Sequence, residues 1–292
     1  MKYISRDPMN MEMDKNAVPA CHVESGETVC VQTYDAMRGK IVDETGTKWF
    51  GKYTTNPCAG PIFVDGAEPG DTLKVEVIDI VPQGPCFTTC SPGFGAYPDR
   101  VLGDVVHMLP IEDGKIVWSE DLKIPMKTMI GTIGVAPAGD PIPTIWPAAH
   151  GGNMDCTQIK PGAALYLPVQ VEGALLFMGD VHALMGDGEV MGAGAEVGAE
   201  IIVKLSVEKR SIPCVLVDVD DILYTVESYP TLEQCCQMAV WDMANIIAEK
   251  NGINTDEAGM LCSLVGDLTV CQIVDPQPTV RFGVAKKYIK NC

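Results

Sequence analysis

Four histidines and a dense set of carboxylates are the side chains with which this chain could do chemistry. Two of the histidines stand in unusual company. One block reads His150-Gly151-Gly152-Asn153-Met154-Asp155. The other runs Gly179-Asp180-Val181-His182-Ala183-Leu184-Met185-Gly186-Asp187-Gly188-Glu189. Each sets imidazole and carboxylate beside glycines, where the chain can bend and its backbone can approach a ligand closely. Imidazole and carboxylate are also donors that zinc and similar divalent ions accept. Asp180 and His182 are two apart, so in a strand they share a face. That placement suits a chelating pair and equally a local hydrogen bond. The first block reads as well as a Gly-rich turn whose Asp caps its own backbone, and Gly186-Asp187-Gly188 as a hairpin turn. His22 and His107 stand alone and read as structural or solvated.

Other chemistries fit less well. Cys156 follows Asp155, and a neighbouring carboxylate disfavours the thiolate unless a cation or histidine compensates. No G-x-S-x-G nucleophile elbow occurs. Gly192-Ala193-Gly194-Ala195-Glu196-Val197-Gly198 misses the dinucleotide fingerprint by one residue and precedes a strand rather than a helix. Ser206-Val207-Glu208-Lys209 lies inside a strand pattern. The twelve cysteines form no C-x2-C pair. Cys86 and Cys90 have no second pair nearby, which argues against a zinc ribbon.

The residues that must hold these groups are mostly in strands. Thr72 to Ile80 alternates Leu73, Val75 and Val77 against Lys74 and Glu76 after the turn Glu68-Pro69-Gly70-Asp71, which predicts a half-buried strand. Lys160-Pro161-Gly162 launches a similar run over Ala163 to Val171. Ile201, Val203, Leu205 and Val207 alternate with Lys204 and Ser206, and Cys214 to Val226 is a further β-rich run holding Asp218, Asp220 and Asp221. Helical spacing comes late. Leu232, Cys236, Ala239, Val240, Met243, Ile246 and Ile247 form one stripe over Thr231 to Lys250. Thr231 with Gln234 fits a capping box, and Gly252 fits a stop. A second helix is predicted from Asn254, with Glu257 as its box partner, to Val265. Leu268 to Val274 and Thr279 to Val284 read as the last strands. Strands first, then strands with two helices, predict a β-sandwich-like domain over residues 1–140 and an α+β domain over 141–292. The division is placed in the Pro-rich stretch Ala136 to Pro147, whose alternative reading is a long loop over an active site.

Charge narrows the partners. With 21 Lys and Arg against 39 Asp and Glu, the net charge is −18. That argues against nucleic acid, which needs clustered cations, and against an anionic membrane surface. A neutral or cationic small molecule is the easier guest. No uncharged apolar run is long enough to span a bilayer. Met1 to Lys15 lacks the apolar core of a signal peptide. The expectation is a cytoplasmic protein with reduced thiols, many of them buried.

In chain order, the blocks quoted above and several others resemble the acetamidase/formamidase family. Asn56-Pro57-Cys58-Ala59-Gly60-Pro61-Ile62-Phe63-Val64 with Gly66-Ala67-Glu68-Pro69-Gly70-Asp71 is similar to its amino-terminal signature. Ile130 to Pro137, Leu165-Tyr166-Leu167-Pro168-Val169, Ser263 to Leu268, Cys271 to Pro276 and Thr279-Val280-Arg281 also fit. The resemblance implies a mostly β protein with α+β character: a jelly-roll-like β-sandwich, then a mixed β-barrel/α+β carboxy-terminal domain with two helices. It implies hydrolysis of short aliphatic amides, such as formamide or acetamide, to the acid and ammonia, by a homo-oligomer of two or more copies. Leu184-Met185 depart from the family, where a polar residue is frequent, and would tighten or dry the pocket. Pro85 to Ile124 matches poorly and reads as a specificity loop.

On that reading water must be activated and an oxyanion stabilised. Without a serine nucleophile motif, the expected cofactor is a divalent metal, zinc first and calcium as the alternative, held by His182, Asp155 and His150. Asn153 is expected to orient the amide. Glu196, with Asp180 as second choice, is expected to shuttle a proton to the leaving nitrogen. Two alternatives stand beside this: a metal-free cysteine amidase using Cys156, and a family member that binds a small molecule or metal without turnover.

Overall fold

A computed structural model describes residues 1–45 and 55–291. The fold is mostly β with two helices. The strand expected from Thr72 forms, and the turn before it is closed by Asp71, whose carboxylate accepts from the Glu68 N–H at 2.8 Å and from Lys209 Nζ at 2.8 Å. Leu73, Val75 and Val77 are buried while Lys74 and Glu76 are half-buried. This strand runs far past Ile80, from Thr72 to Cys90. It pairs with Ala164–Pro168 at its start and with Glu196–Glu208 along its length, ending with Phe87 opposite Glu196. The run over Cys214 to Val226 divides into Val215–Val219 and Ile222–Ser228. Asp220 and Asp221 between them have φ of 53° and 60°. Two successive left-handed residues make the tight turn whose twist matches paired strands.

Two strands at the functional blocks are buried at every residue: Leu176–His182, which carries the start of the second block, and Met129–Val135, which lies between it and the first. They pair with each other from Val135 opposite Leu176 to Met129 opposite His182. The pairing also crosses the division expected near residue 140. Thr72–Cys90 pairs with two strands beyond it, and Met129–Val135 pairs with Gly151–Asn153 and Leu176–His182. One core accordingly runs from Ile4 and Val23 to Val226 and Cys271, so the two halves share a sheet and a core.

A second, smaller core gathers the helices. Helix α1 spans Leu232–Asn251 and helix α2 spans Thr255–Val265. Cys235, Ala239, Met243 and Ile247 of α1 and Ala258 and Cys262 of α2 pack on Leu216, Leu223, Val280 and Phe282 of the sheet. Thr231 caps α1 by accepting from the Gln234 N–H at 3.2 Å, Gly252 ends it in the left-handed region, and Asn254 with Glu257 forms a capping box on α2. No helix among the described residues is long and apolar enough to cross a membrane.

The turn expected at Gly186 to Gly188 exists but joins no tight hairpin. His182 ends one strand, Glu196 starts its partner, and residues 183–195 loop between them, with the Glu189 N–H donating to the Gly186 carbonyl. Gly188 instead bridges to Gln272. The segment expected as a specificity loop holds a small three-stranded sheet, Ile111–Glu112, Lys115–Ser119 and Leu122–Pro125.

Candidate functional site

His182 and Glu196 are register partners at the point where two long strands meet. Strand pairing therefore places them before any side-chain interaction is considered. Asn153, opposite Thr132, brings the His150–Asp155 block onto the other edge of Met129–Val135. The geometry converges on the imidazole. Its Nδ1 lies 3.9 Å from Asp155 Oδ1, and its Nε2 lies 3.2 Å from Glu196 Oε1 and 3.6 Å from Asp180 Oδ1. Around it, Asn56 Nδ2 donates to Asp180 Oδ2 at 2.7 Å and to Asn153 Oδ1 at 3.1 Å. The Thr132 hydroxyl also donates to Asn153 Oδ1, and Asn153 Nδ2 donates to Asp275 Oδ2 at 2.8 Å.

The backbone is held in an uncommon conformation at these residues. Asn56, Asp155, Asp180 and Glu189 have φ of 59°, 45°, 52° and 43°. Left-handed non-glycine residues cost about 1–3 kcal/mol each and gather at functional sites. Two glycines make room for the cluster. A Cβ on Gly194 would stand 2.7 Å from the His182 ring, and one on Gly131 would run into Asp155 Oδ1 and the Asp180 carboxylate.

Four carboxylates buried around one histidine set the electrostatics: Asp155, Asp180, Glu189 and Glu196. Burial, with the Asp180 charge beside it, pushes Asp155 up to about 6. Burial pushes Glu196 up to about 7, His182 opposing and Asp180 adding to the shift. Burial and Asp155 hold Glu189 and Asp275 well above the usual carboxylate range. Burial disfavours the charged His182 ring, but Glu196 and Asp180 outweigh it and hold the ring well above its ordinary value.

The residues fit a divalent cation. Both Asp155 oxygens, both His182 nitrogens, Asp180 Oδ1 and Glu196 Oε2 are buried with no hydrogen-bond partner among the described residues. Buried polar atoms seldom stay so in native proteins, and like carboxylates cannot all ionise without a cation between them. Two sets, Asp155 with His182 and Glu189, and Asp180 with His182 and Glu196, each bring one donor atom per residue within 4.8 Å of the others.

A cavity of about 590 Å³ opens onto this cluster. Asn56, Asn153, Asp180, Glu189, Glu196 and Asp275 line its polar part. Of the residues expected from the sequence, Asp180, Glu196 and Asn153 line the wall, while Asp155 and His182 are buried against them. His150 is buried and belongs to neither three-residue set. Burial lowers its ring to about 4, which keeps it neutral. The cavity also takes Glu189, Asn56 and Asp275, to which no spacing in the sequence points. Glu189 lies in the second block beyond the turn, and Asn56 and Asp275 each precede a proline. Cys156 is fully buried and is not part of the cavity wall. A hydrogen bond from Cys271 lowers its thiol despite burial, with the Arg281 charge assisting. The compensating cation exists, but Cys156 does not line the cavity.

The acetamidase/formamidase family model matches residues 13–140 and 123–239. An acetamidase of Mycolicibacterium smegmatis is 30% identical over 252 residues, covering 62% of this chain and 61% of that protein. The matched stretch thus spans about three fifths of that curated relative's length. Among solved structures, an acetamidase from Bacillus halodurans superposes with a TM-score of 0.96 at 38% identity, covering 98% of each chain. A predicted acetamidase/formamidase of the thermophile Thermoanaerobacter tengcongensis gives 0.93 at 36% identity, covering 98% of this chain and 96% of the other.

Proposed function

This chain belongs to the acetamidase/formamidase family, and on that premise we propose that it hydrolyses the C–N bond of a neutral primary amide to a carboxylic acid and ammonia. The observation that carries the reading is the buried His182 cluster, with its unpartnered donor atoms, at the polar end of a cavity. Asp155, His182 and Glu189 are the proposed holders of a divalent metal. The imidazole donor favours zinc over calcium, which prefers oxygen ligands throughout. Glu189 takes the place first expected for His150. Such an ion supplies a lowered pKa for water and a polarised carbonyl. With Nδ1 turned to Asp155, the other ring nitrogen points at Glu196 and Asp180, the outer partners that fix a ligand's tautomer and orientation.

The chain's own groups can handle the amide. Asn153 Oδ1 is engaged by Asn56 and Thr132 and one of its N–H bonds by Asp275, which leaves one N–H to donate to a substrate carbonyl. Both N–H groups of Asn56 are engaged, which leaves its side-chain oxygen to accept from the substrate NH2. Glu196, held near 7, is matched to taking a proton from water and giving it to the departing nitrogen. Water adds its oxygen to the carbonyl carbon, the C–N bond breaks, and nitrogen leaves as ammonia.

A homo-oligomer belongs to the same reading. The test of the function is equimolar release of ammonia and acid from primary amides, with Glu196→Gln run in parallel. Loss of turnover in the variant supports the proton role. Full activity in it removes that role.

A further inference from the structure

We propose that the amide accepted here carries an uncharged apolar acyl chain well beyond the two carbons of acetamide. The proposal rests on the amide-hydrolase reading above and concerns only what surrounds the reacting group. Acetamide has four heavy atoms. At a liquid-like share of about 30 Å³ each, it asks for roughly 120 Å³. The cavity is about 590 Å³, a size at which sites enclose ligands of drug-like dimensions rather than two-carbon amides.

Part of the wall is one hydrogen-bonded patch: Asn56 joins Asn153 and Asp180, and Asn153 joins Asp275. Thr55, Thr89, Cys90 and Ser91 line the cavity elsewhere. The rest of the wall includes Met37, Phe94, Ile145, Met191, Val274 and Pro276. No lysine or arginine lines the cavity among the described residues. A methionine-containing apolar wall adapts to flexible chains. With the amide seated on the Asn56–Asn153 patch, the acyl chain has Met37, Phe94, Ile145, Met191, Val274 and Pro276 to pack against.

The experiment is kcat/KM by ammonia release from the metal-containing protein for formamide, acetamide, butanamide and hexanamide. Each methylene taken from water should raise kcat/KM about three- to fourfold, so acetamide to hexanamide should gain on the order of a hundredfold. Ile145→Trp and Met191→Trp, which fill the apolar part, should cut the hexanamide-to-acetamide ratio at least tenfold. A kcat/KM that falls steadily from acetamide upward overturns the proposal and leaves the amidase reading standing. Ammonia from none of the amides overturns both.

Discussion

His182 Nε2 lies 3.2 Å from Glu196 Oε1, and the two residues are register partners at the junction of adjacent strands. The sheet, not a loop, sets their separation. A pair fixed in this way resists being pulled apart by small changes elsewhere, which is what a preorganised site requires.

Substitutions at the cluster should separate holding from proton transfer. His182→Ala should abolish both metal retention and turnover, because it removes the donor common to both three-residue sets. Glu196→Gln should lower kcat about 100- to 10,000-fold, the usual worth of a general acid–base, while metal content stays close to that of the unsubstituted protein. Metal analysis alongside ammonia release distinguishes the two.

Stability should depend on pH in a direction set by the same groups. Asp155 and Glu196 titrate near 6 and 7 in the folded chain but at about 4 when unfolded. Between those values the folded state binds more protons than the unfolded one, so stability of the metal-free protein falls as pH rises. His182, raised well above its ordinary value, adds to the fall above neutrality. The chelator-treated protein should melt at lower temperature at pH 8 than at pH 5. Zinc should restore more at pH 8, where its ligands are ionised. A metal-free melting temperature that climbs over this range contradicts the assignment.

Much of this arrangement was legible in the sequence, for physical reasons. Period-two alternation located Thr72 to Ile80, and cap chemistry at Thr231, Asn254 and Gly252 located both helices. Asp180 and His182, two apart, did come to one cluster. The division at 140 was not legible, because a composition change cannot reveal that Thr72–Cys90 pairs with strands far along the chain. Glu189 was obscured for a local reason: Gly186-Asp187-Gly188 reads as a hairpin turn, and only tertiary contact shows a loop folding its carboxylate back onto Asp155. Asn56 and Asp275 act through partners nearly a hundred residues or more away, beyond the reach of any spacing rule.

Gly194→Ala should damage the site directly. The added methyl would stand 2.7 Å from the His182 ring, and the strand pairing leaves the ring little room to withdraw. Overpacking of this kind costs about 1–3 kcal/mol, visible as a lowered melting temperature together with a reduced kcat. A variant of unchanged stability and activity would show that the ring is free to move.

Asp187 ties the loop over residues 183–195 to the sheet. Its carboxylate takes both Arg281 Nη groups at 2.7 Å, two residues before Glu189. Asp187→Asn leaves a buried guanidinium short of its partner. Since the Asp187 side chain is 38% exposed, the cost should be about 1–2 kcal/mol rather than the 3–5 of a fully buried pair. Weaker metal retention through Glu189 should accompany it, measured by chelator competition.

Cys156→Ala should leave ammonia release within severalfold of the original, since the sulfur is not on the cavity wall. Abolished turnover in a folded Cys156→Ala protein would revive the thiol mechanism.

The central claim, amide hydrolysis at a metal-holding His182 cluster, is tested most directly by ammonia release from a primary amide before chelation, after chelation and after zinc is returned. Turnover that disappears with the chelator and returns with zinc is the predicted result. Turnover that persists undiminished in a protein shown to be free of metal would contradict it.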